Sequence, residues 1–419
     1  MYKYIITGGN RLIGETYASG SKNASLPILA ATIINGKKNY LYNVPDIKDV
    51  KITLEILEKI GCKVEKYKNT VIIDSSSINK TTIPDKLMRE LRASIIIVGA
   101  LLARFKSASF SHPGGCEIGA RPIDLHLDNF KKIGIKIDEN SRYIDCKCDR
   151  IETKNIDLDF PSVGATENLI LASVLGNHEV IINNAAMEPE IVDLANFLNN
   201  SGAKIFGAGT NLIKIVGVKE TNEVSYKIMP DRIEVASLLI AGAITKGNIK
   251  ISNVVPEHMS ALLNKLEQIG CKLVKLPDKI ILSNNKRLQA IDIKTMPYPG
   301  FPTDMQPLFS TLLTTCEGTS IVNENIFENR FKFMNEIERM GAKITIEGRT
   351  MIISGVDRLY GAEVESTDLR GSASLIIAGL AAQGITKVGK LEYLLRGYEN
   401  FDTKLNKLGS NIIKEKVGE

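Results

Sequence analysis

The sequence lacks any hydrophobic run long enough to cross a membrane, which takes about 20 consecutive apolar residues. The longest candidate, ASIIIVGALLA, ends before Arg104. The N-terminus, MYKYIITGGNRLIGE, has no apolar signal region followed by a small-residue cleavage site, which argues against secretion. We therefore predict no membrane association and expect the protein in the cytoplasm.

Cysteine is also scarce, with 6 residues in a chain of 419. This density does not support a disulfide framework, so reduced thiols are expected. Cys146 and Cys148 are too close together for a usual zinc site, and no second pair completes one. We predict no structural metal.

Dense blocks of one charge are missing as well. The formal net charge is only +5, and no lysine and arginine cluster is interleaved with aromatic residues. Nucleic acid is therefore not an expected partner, and a small anionic ligand fits the composition better.

The motifs GxxxxGK, HExxH and GxSxG are absent, and GAGTNL lacks the last glycine of a dinucleotide fingerprint.

What the chain does contain is an internal repeat. Phrases such as LEKIGCKVEKYKNTVII and LEQIGCKLVKLPDKIIL occur six times, with their glycine at positions 61, 134, 202, 270, 341 and 409. Each phrase combines apolar residues at helical spacing, a glycine and two alternating segments, which predicts a helix, a turn and a β-hairpin. Between the phrases lie strongly apolar segments such as EVASLLIAGAI, each followed by a strand. These segments predict buried helices.

The repeats also predict the domain organisation. The chain is too long for one ordinary core, and six units of about 70 residues divide into three per domain. A natural break lies near KIMPDRIE, residues 227–234. Because the last unit ends without a full hairpin, we expect the N-terminal strands to join the C-terminal domain. The predicted domains are residues 22–229 and a discontinuous domain of residues 1–21 and 230–419.

The starts of the apolar helices carry most of the candidate binding residues. Helix N-termini favour anions, and lysine or arginine side chains there reinforce a phosphate or carboxylate site. A lone arginine at such a position more often caps the helix or forms a surface ion pair. Here, however, four of the six helix starts carry a lysine or an arginine. We expect these starts to line a cleft between the domains. The polar residues at the starts are Lys22, Asn23, Arg92, Asp231, Arg232, Asp304, Asp368 and Arg370.

Cys116 is the candidate reactive residue. It follows two glycines in HPGGCEIGARPID, and Arg121 lies five positions on. A cation nearby lowers the pKa of a thiol, and the glycines favour an exposed loop. The ordinary alternative is a small buried residue at a turn, which is our interpretation of Cys62 and Cys271 after the repeat glycines.

Several longer motifs resemble one family. SGSKNASLPILAA, PGGCEIGARPIDLHL, FPTDMQPLF, IFENRFKFM and DLRGSASLIIAGL are similar to the UDP-N-acetylglucosamine 1-carboxyvinyltransferases, the enolpyruvyl transferases that begin bacterial peptidoglycan synthesis. The resemblance is collinear over essentially the whole chain. It implies an α/β fold of two similar inside-out α/β barrel domains, each built from three helix-strand-helix-hairpin units.

The resemblance also implies a reaction and its partners. The enolpyruvyl group of phosphoenolpyruvate would pass to the 3-hydroxyl of UDP-N-acetylglucosamine by addition and elimination, with release of phosphate. Neither a metal nor an organic cofactor is expected. The oligomeric state is not indicated by the sequence.

Site residues follow from the matching motifs. The phosphoenolpyruvate clamp is expected at Lys22, Asn23, Arg121 and Arg396. The N-acetylglucosamine contacts are expected at Arg92, Asp304 and Ile326, and the uridine diphosphate contacts at Arg121, Pro122, Ile123, Asp124, Leu125, Ser162, Val163 and Gly164. Asp304 resembles the base for the sugar hydroxyl, and Asp368 a residue that assists proton transfer. Cys116 resembles the loop cysteine that donates a proton, forms an adduct with phosphoenolpyruvate and is alkylated by fosfomycin.

Two departures from the family pattern keep alternatives open. Leu395 precedes Arg396 where the family commonly has Asp, and Phe160 stands where some members have a lysine near the nucleotide. A catalytically silent nucleotide-sugar-binding duplicate is one alternative, favoured only by Leu395. The other is the shikimate-pathway enolpyruvyl transferase, which lacks the cysteine-bearing loop motif.

Overall fold

The computed structural model describes residues 2–114, 123–140 and 142–416. Short 3-10 helices occupy Arg92–Ile95, Pro256–Met259, Thr303–Met305 and Leu394–Arg396. The α-helices are α1 (Lys22–Ala31), α2 (Lys48–Ile60), α3 (Asp85–Glu90), α4 (Ile96–Phe105), α5 (Asp124–Lys132), α6 (Val163–Ser173), α7 (Pro189–Asn200), α8 (Arg232–Ile244), α9 (Ser260–Gln268), α10 (Gln306–Leu313), α11 (Met334–Glu338), α12 (Leu369–Ala381) and α13 (Phe401–Lys407).

The strands are short and lie between these helices. In chain order they are β1 (Tyr2–Thr7), β2 (Ile13–Tyr17), β3 (Lys38–Tyr42), β4 (Lys63–Tyr67), β5 (Thr70–Asp74), β6 (Ser107–Phe110), β7 (Lys136–Glu139), β8 (Ile144–Lys147), β9 (Lys154–Asp157), β10 (Glu179–Asn183), β11 (Lys204–Phe206), β12 (Leu212–Val216), β13 (Ser225–Lys227), β14 (Asn248–Ser252), β15 (Lys272–Leu276), β16 (Lys279–Ser283), β17 (Ile293–Lys294), β18 (Thr319–Asn323), β19 (Lys343–Glu347), β20 (Thr350–Ser354), β21 (Glu363–Glu365), β22 (Ile385–Gly389) and β23 (Asn411–Lys416).

The described residues divide into two compact units. The first unit contains residues 2–19 and 230–416, and the second contains residues 20–114, 123–140 and 142–229. The N-terminal segment of the first unit therefore ends at residue 19, whereas the sequence predicted that it ends at residue 21. In the described part of the chain, no helix combines the length and the apolar character that crossing a membrane requires.

The repeated order of elements predicted from the sequence is confirmed. Each of the first five repeats runs from an apolar helix through a strand and an amphipathic helix to a hairpin, as in α8, β14, α9, β15 and β16, and the sixth ends in the single strand β23. The repeat glycine ends the amphipathic helix with a positive φ, between +87° and +113° in all six copies. A side chain is disfavoured in that left-handed conformation, which explains why the position is always glycine.

The apolar helices form the cores of both units. In the first unit α8, α10 and α12 contact one another, and every residue of α8 is buried. In the second unit α4 contacts both α1 and α6. Because these helices are apolar on all sides, they are stable only when surrounded by other elements, and this places the sheets outside them. The predicted inside-out α/β architecture is thereby confirmed.

Within the described ranges, three sheets belong to each unit. Those of the first unit have the orders β15-β16-β14-β2, β17-β18-β20-β19 and β21-β22-β1-β23. Those of the second unit have the orders β13-β3-β5-β4, β6-β8-β7 and β11-β12-β10-β9. In each four-stranded sheet the strand after the buried helix pairs in parallel with an edge strand and antiparallel with its other neighbour.

The sixth repeat obtains its missing hairpin strand from the N-terminus. Strand β1 lies between β22 and β23 and is antiparallel to both. Its side chains alternate, and Tyr4 and Ile6 point into the core of the first unit. Strand β2 similarly serves as the parallel edge partner of β14. Strand pairing therefore attaches the N-terminal segment to the C-terminal part of the chain.

Candidate active site

In the first unit, three buried helices begin close together, and each start carries an aspartate. Asp231 is the N-cap of α8, and its Oδ1 accepts hydrogen bonds from the N–H groups of Ile233 and Glu234 at 2.8 and 3.0 Å. Asp368 is the N-cap of α12, and Asp304 lies in the 3-10 helix that leads into α10. The three acidic residues predicted at helix starts are therefore supplied by neighbouring helices of one unit.

Asp304 is held by two arginines. Nη2 of Arg330 donates to Oδ1 at 2.7 Å, and Nη2 of Arg370 donates to Oδ2 at 3.1 Å. Each arginine side chain is only 3% exposed, whereas that of Asp304 is 28% exposed. Charge-assisted hydrogen bonds to both oxygens fix the plane of the carboxylate. A rigid carboxylate that is partly exposed can accept a proton from a hydroxyl group that approaches it.

Asp368 has a different environment because its carboxylate caps α12. Its Oδ1 accepts from the N–H groups of Arg370 and Gly371 at 3.0 and 3.1 Å. Its Oδ2 accepts from the Thr367 hydroxyl at 3.0 Å. Gly371 is required here, since an added Cβ would lie 2.7 Å from Oδ2 of Asp368. Capping thus fixes this carboxylate and occupies one of its oxygens.

Arg370 offers unused donors inside the first unit. Its Nε and Nη1 are buried and have no hydrogen-bond partner among the described residues. The guanidinium lies over the Tyr398 ring, 5.4 Å from its centroid, and the Tyr398 hydroxyl is 2.7 Å from Oγ of Ser237. Burial raises the pKa of the Tyr398 phenol, so the phenol stays neutral. Buried unpaired guanidinium donors are a feature that an anionic ligand can satisfy.

The other predicted residues of this unit lie at its loops. Ile326 follows β18, and its N–H donates to Oε1 of Glu324 at 2.8 Å. Arg396 ends the 3-10 helix Leu394–Arg396 and is half-buried. Leu395 is exposed, so its side chain contributes no core packing that would explain an apolar residue at this position.

In the second unit, Lys22 is the first residue of α1. Its Nζ lies 2.7 Å from Oδ2 of Asp49, and both side chains are largely buried. Ser21 caps the helix by accepting from the N–H of Ala24 at 3.3 Å. Asn23 follows in the first turn and is half-buried. Asp49 therefore fixes the ammonium group at the start of a buried helix, where anions are favoured.

The described residues among the predicted nucleotide contacts lie around the starts of α5 and α6. Ser162 caps this helix, and Val163 and Gly164 are its first residues. The space beside Gly164 is occupied by His126, whose Cε1 would lie 3.0 Å from an added Cβ. His126 belongs to the first turns of α5, which begins at Asp124. Backbone N–H groups at such helix starts can bind phosphate oxygens.

Asn168 of α6 connects these elements. Its Oδ1 accepts from the N–H of Gly99 at 3.0 Å, and its Nδ2 donates to the Ile95 carbonyl at 3.1 Å. Nδ2 also lies 2.9 Å from Nδ1 of His126. Because the first two bonds fix the orientation of the amide, Nδ1 of His126 is the acceptor and its proton resides on Nε2.

His126 should make stability depend on pH. Burial, reinforced by the nearby Arg92, lowers the pKa of His126 to about 4. A histidine whose pKa is lower in the folded protein binds fewer protons there, so stability is lost as the pH falls from about 6.5 to 4. We expect the free energy of unfolding to fall by about 1 to 2 kcal/mol more between pH 8 and pH 5 than in His126→Gln. Denaturant titrations at both pH values measure this difference.

A matched control for that experiment is His112→Gln, which changes an exposed histidine. It should keep the pH dependence of the wild type. Equal pH dependence in the wild type and His126→Gln would contradict the buried neutral imidazole.

The remaining predicted residues lie before or at the start of α5 in the sequence. Cys116, Arg121 and Pro122 lie outside the described residues, while Ile123 and Leu125 flank the start of α5. Phe160 is exposed shortly before α6.

Among the described residues, no group of three or more His, Cys, Asp or Glu side chains is arranged to hold a metal ion.

The sequence patterns did not identify several residues of these sites. Arg330 occupies the matching motif IFENRFKFM, and that motif was its only signal. Asp49, Asn168, Glu324 and Tyr398 lie at positions that no spacing singled out. They become visible only through contacts between segments that are distant in the chain.

Comparisons with known proteins identify the family. Residues 6–405 match the EPSP synthase (3-phosphoshikimate 1-carboxyvinyltransferase) family. The chain is 50% identical to UDP-N-acetylglucosamine 1-carboxyvinyltransferase 2 of Caldanaerobacter subterraneus subsp. tengcongensis, covering 99% of this chain and 100% of the relative. It is 45% identical to UDP-N-acetylglucosamine 1-carboxyvinyltransferase of Geotalea uraniireducens, covering 99% of both chains.

Solved structures agree at the level of the fold. The enolpyruvyl transferase NikO from Streptomyces tendae superposes with a TM-score of 0.89 at 23% identity, covering 100% of this chain and 99% of that one. EPSP synthase from Acinetobacter baumannii gives a TM-score of 0.78 at 18% identity, covering 99% of this chain and 100% of that one. With the full-length relatives, these findings establish that the chain belongs to the UDP-N-acetylglucosamine 1-carboxyvinyltransferase family and has the enolpyruvyl transferase fold.

Proposed function

We propose that the chain transfers the enolpyruvyl group of phosphoenolpyruvate to the 3-hydroxyl of UDP-N-acetylglucosamine and releases phosphate, the first committed step of peptidoglycan synthesis. The observation that carries the proposal is the carboxylate of Asp304, which is partly exposed and held by Arg330 and Arg370. The family relationship supports the same reaction.

The chemistry requires a base and an acid. The sugar oxygen bonds to C2 of phosphoenolpyruvate as its hydroxyl proton leaves, and the methylene carbon gains a proton. Loss of phosphate and of one proton from the resulting methyl group then restores the double bond. We assign the first proton to Asp304, because a positioned carboxylate can act as a general base. Cys116 is proposed to donate the proton to carbon, and Asp368 to assist proton transfer.

Binding is proposed to use the anionic groups of both substrates. Lys22 and Asn23 at the start of α1, with Arg121 and Arg396, would hold phosphoenolpyruvate. Arg92, Asp304 and Ile326 would contact the sugar. The uridine diphosphate would lie against residues 121–125 and 162–164, where α5 and α6 begin and backbone N–H groups favour phosphate.

The deciding experiment compares two acceptors. Phosphate release from phosphoenolpyruvate should depend on UDP-N-acetylglucosamine and should not occur with shikimate 3-phosphate. Turnover with shikimate 3-phosphate instead would favour the shikimate-pathway enzyme. Binding of UDP-N-acetylglucosamine without turnover would favour the silent duplicate, the alternative suggested by Leu395.

Fosfomycin should add its mass to the protein at Cys116 and abolish turnover. The thiols of Cys62, Cys146, Cys271 and Cys316 are buried, and burial raises the pKa of each to about 12, which makes them poor nucleophiles. Peptide mass mapping after inactivation locates the label. Cys116→Ala is the control and should remain unlabelled, whereas labelling of another cysteine would remove Cys116 as the reactive thiol.

The proposed reaction also suggests a cellular setting. Its substrates are cytoplasmic metabolites, so we propose a cytoplasmic enzyme whose product enters cell-wall synthesis. Cell shape and division would depend on it through the wall. Fractionation of cells that express the chain, with activity assayed in each fraction, tests the location.

A further inference from the structure

Glu324 is a buried carboxylate for which the proposed mechanism has no role. It follows the last residue of β18, and its exposed fraction is 0%. Its backbone N–H donates to the Arg349 carbonyl at 2.9 Å, which fixes the main chain at this point. Burying a carboxylate is unfavourable unless hydrogen bonds replace its lost hydration. The partners of this side chain therefore indicate why it is there.

The two oxygens of Glu324 reach different segments. Oε1 accepts from the hydroxyl of Thr295 at 2.9 Å and from the N–H groups of Ile326 and Phe327 at 2.8 and 3.1 Å. Oε2 accepts from the hydroxyl of Thr303 at 3.0 Å. One carboxylate thus connects the loop after β18 with the 3-10 helix Thr303–Met305.

These two segments carry residues proposed to contact the acceptor sugar. Thr303 immediately precedes Asp304, and its carbonyl oxygen accepts from Nε and Nη2 of Arg330 at 3.4 and 3.3 Å. The side chain of Thr303 is therefore bonded to Glu324, while its backbone is bonded to the arginine that also holds Asp304. Ile326 is fixed from the other oxygen of Glu324.

We infer that Glu324 is a positioning residue of the acceptor site, which sets the distance between the Asp304 base and the Ile326 sugar contact. This inference rests on the proposed function. Glu324 is fully buried and acts through Thr303 and the N–H of Ile326. Small displacements of a base from its substrate reduce the rate strongly, so a rigid link between these segments affects catalysis as well as binding.

Thr303→Val tests the link with little change in side-chain volume. It removes the donor to Oε2 of Glu324, so we expect the KM for UDP-N-acetylglucosamine to rise about tenfold and kcat to fall about tenfold. The KM for phosphoenolpyruvate should stay within about twofold. Thr303→Ser keeps the hydroxyl and should restore both constants. Glu324→Gln should shift the same constants by less, because its amide oxygen can keep the three bonds of Oε1.

Thr245→Val is the matched control, since this buried hydroxyl donates to the Ala241 and Gly242 carbonyls at the far end of α8. It should leave all kinetic constants unchanged. Unchanged constants in Thr303→Val, even with a lower melting temperature, would overturn the positioning role. An equal loss in Thr303→Ser and Thr303→Val would also overturn it. If the wild type itself shows no turnover with UDP-N-acetylglucosamine, the proposed function is what fails.

Discussion

Asp304→Asn is expected to lower kcat by about three orders of magnitude, within the range of about 10² to 10⁴ that general base catalysis provides. Asparagine has the same shape, and its amide oxygen can still accept from Arg330, but it cannot take the hydroxyl proton. Its amide nitrogen would face Nη2 of Arg370, which donates to Oδ2 in the wild type. Binding of UDP-N-acetylglucosamine should weaken by less than about tenfold, because only one charge-assisted hydrogen bond is lost.

The measurements are a kcat from phosphate release and a dissociation constant from calorimetric titration. Asp357→Asn is a matched control, since Asp357 forms an ion pair with Arg287 at 2.6 Å but is exposed. That variant should match the wild type in both quantities. Near-normal turnover of Asp304→Asn would remove Asp304 as the base, whereas a loss of binding as large as the loss of turnover would make it a binding residue only.

The sequence was informative where one physical rule is repeated six times. Burial of all-apolar helices and the left-handed glycine after each amphipathic helix recur at every unit, so each copy supports the others. The same periodicity indicated that the sixth hairpin was incomplete. It could not give the register of β1 between β22 and β23, because pairing between the two ends of a chain depends on tertiary packing.

In the candidate site, too, the sequence identified some residues and not others. Asp304 and Asp368 were found because they begin helices whose apolar pattern is evident. Arg330 and Glu324 lie in a loop without periodicity, and their meaning comes from the positions they reach across the unit. The spacing of residues in the sequence cannot predict such contacts, since they are determined by the packing of separate repeats against one another.

A second charged network surrounds Lys404. Nζ of Lys404 lies 2.6 Å from Oε1 of Glu234 and 2.7 Å from Oγ of Ser19. The side chains of the lysine and the glutamate are 5% and 3% exposed. Oε2 of Glu234 accepts from the N–H of Ser19 at 2.6 Å. The network therefore holds Ser19, the last N-terminal residue of the first unit, against α8 and α13.

Lys404→Met is expected to destabilise the protein by about 3 to 5 kcal/mol at neutral pH, because removing one partner of a buried pair leaves an uncompensated charge. Burial raises the pKa of Glu234, and Lys404 opposes that rise, so the pKa should increase further in the variant. A carboxyl whose pKa is higher in the folded protein binds more protons there. The variant should therefore become more stable, relative to the wild type, as the pH falls from 8 toward 5. Denaturant titrations across this range measure both effects.

Two further variants separate the buried charge from lost packing. Lys404→Met combined with Glu234→Gln should recover most of the lost stability, because the neutral amide has no charge to leave unpaired. Lys250→Met removes an exposed pair, with Lys250 Nζ 3.0 Å from Oε1 of Glu15, and should cost less than about 1 kcal/mol. If the double variant were no more stable than Lys404→Met, the loss would come from packing of the lysine stem against the Tyr17 ring, which lies 5.1 Å from Nζ. Recovery in the double variant would instead assign the loss in Lys404→Met to the buried Glu234 carboxylate that has lost its cation.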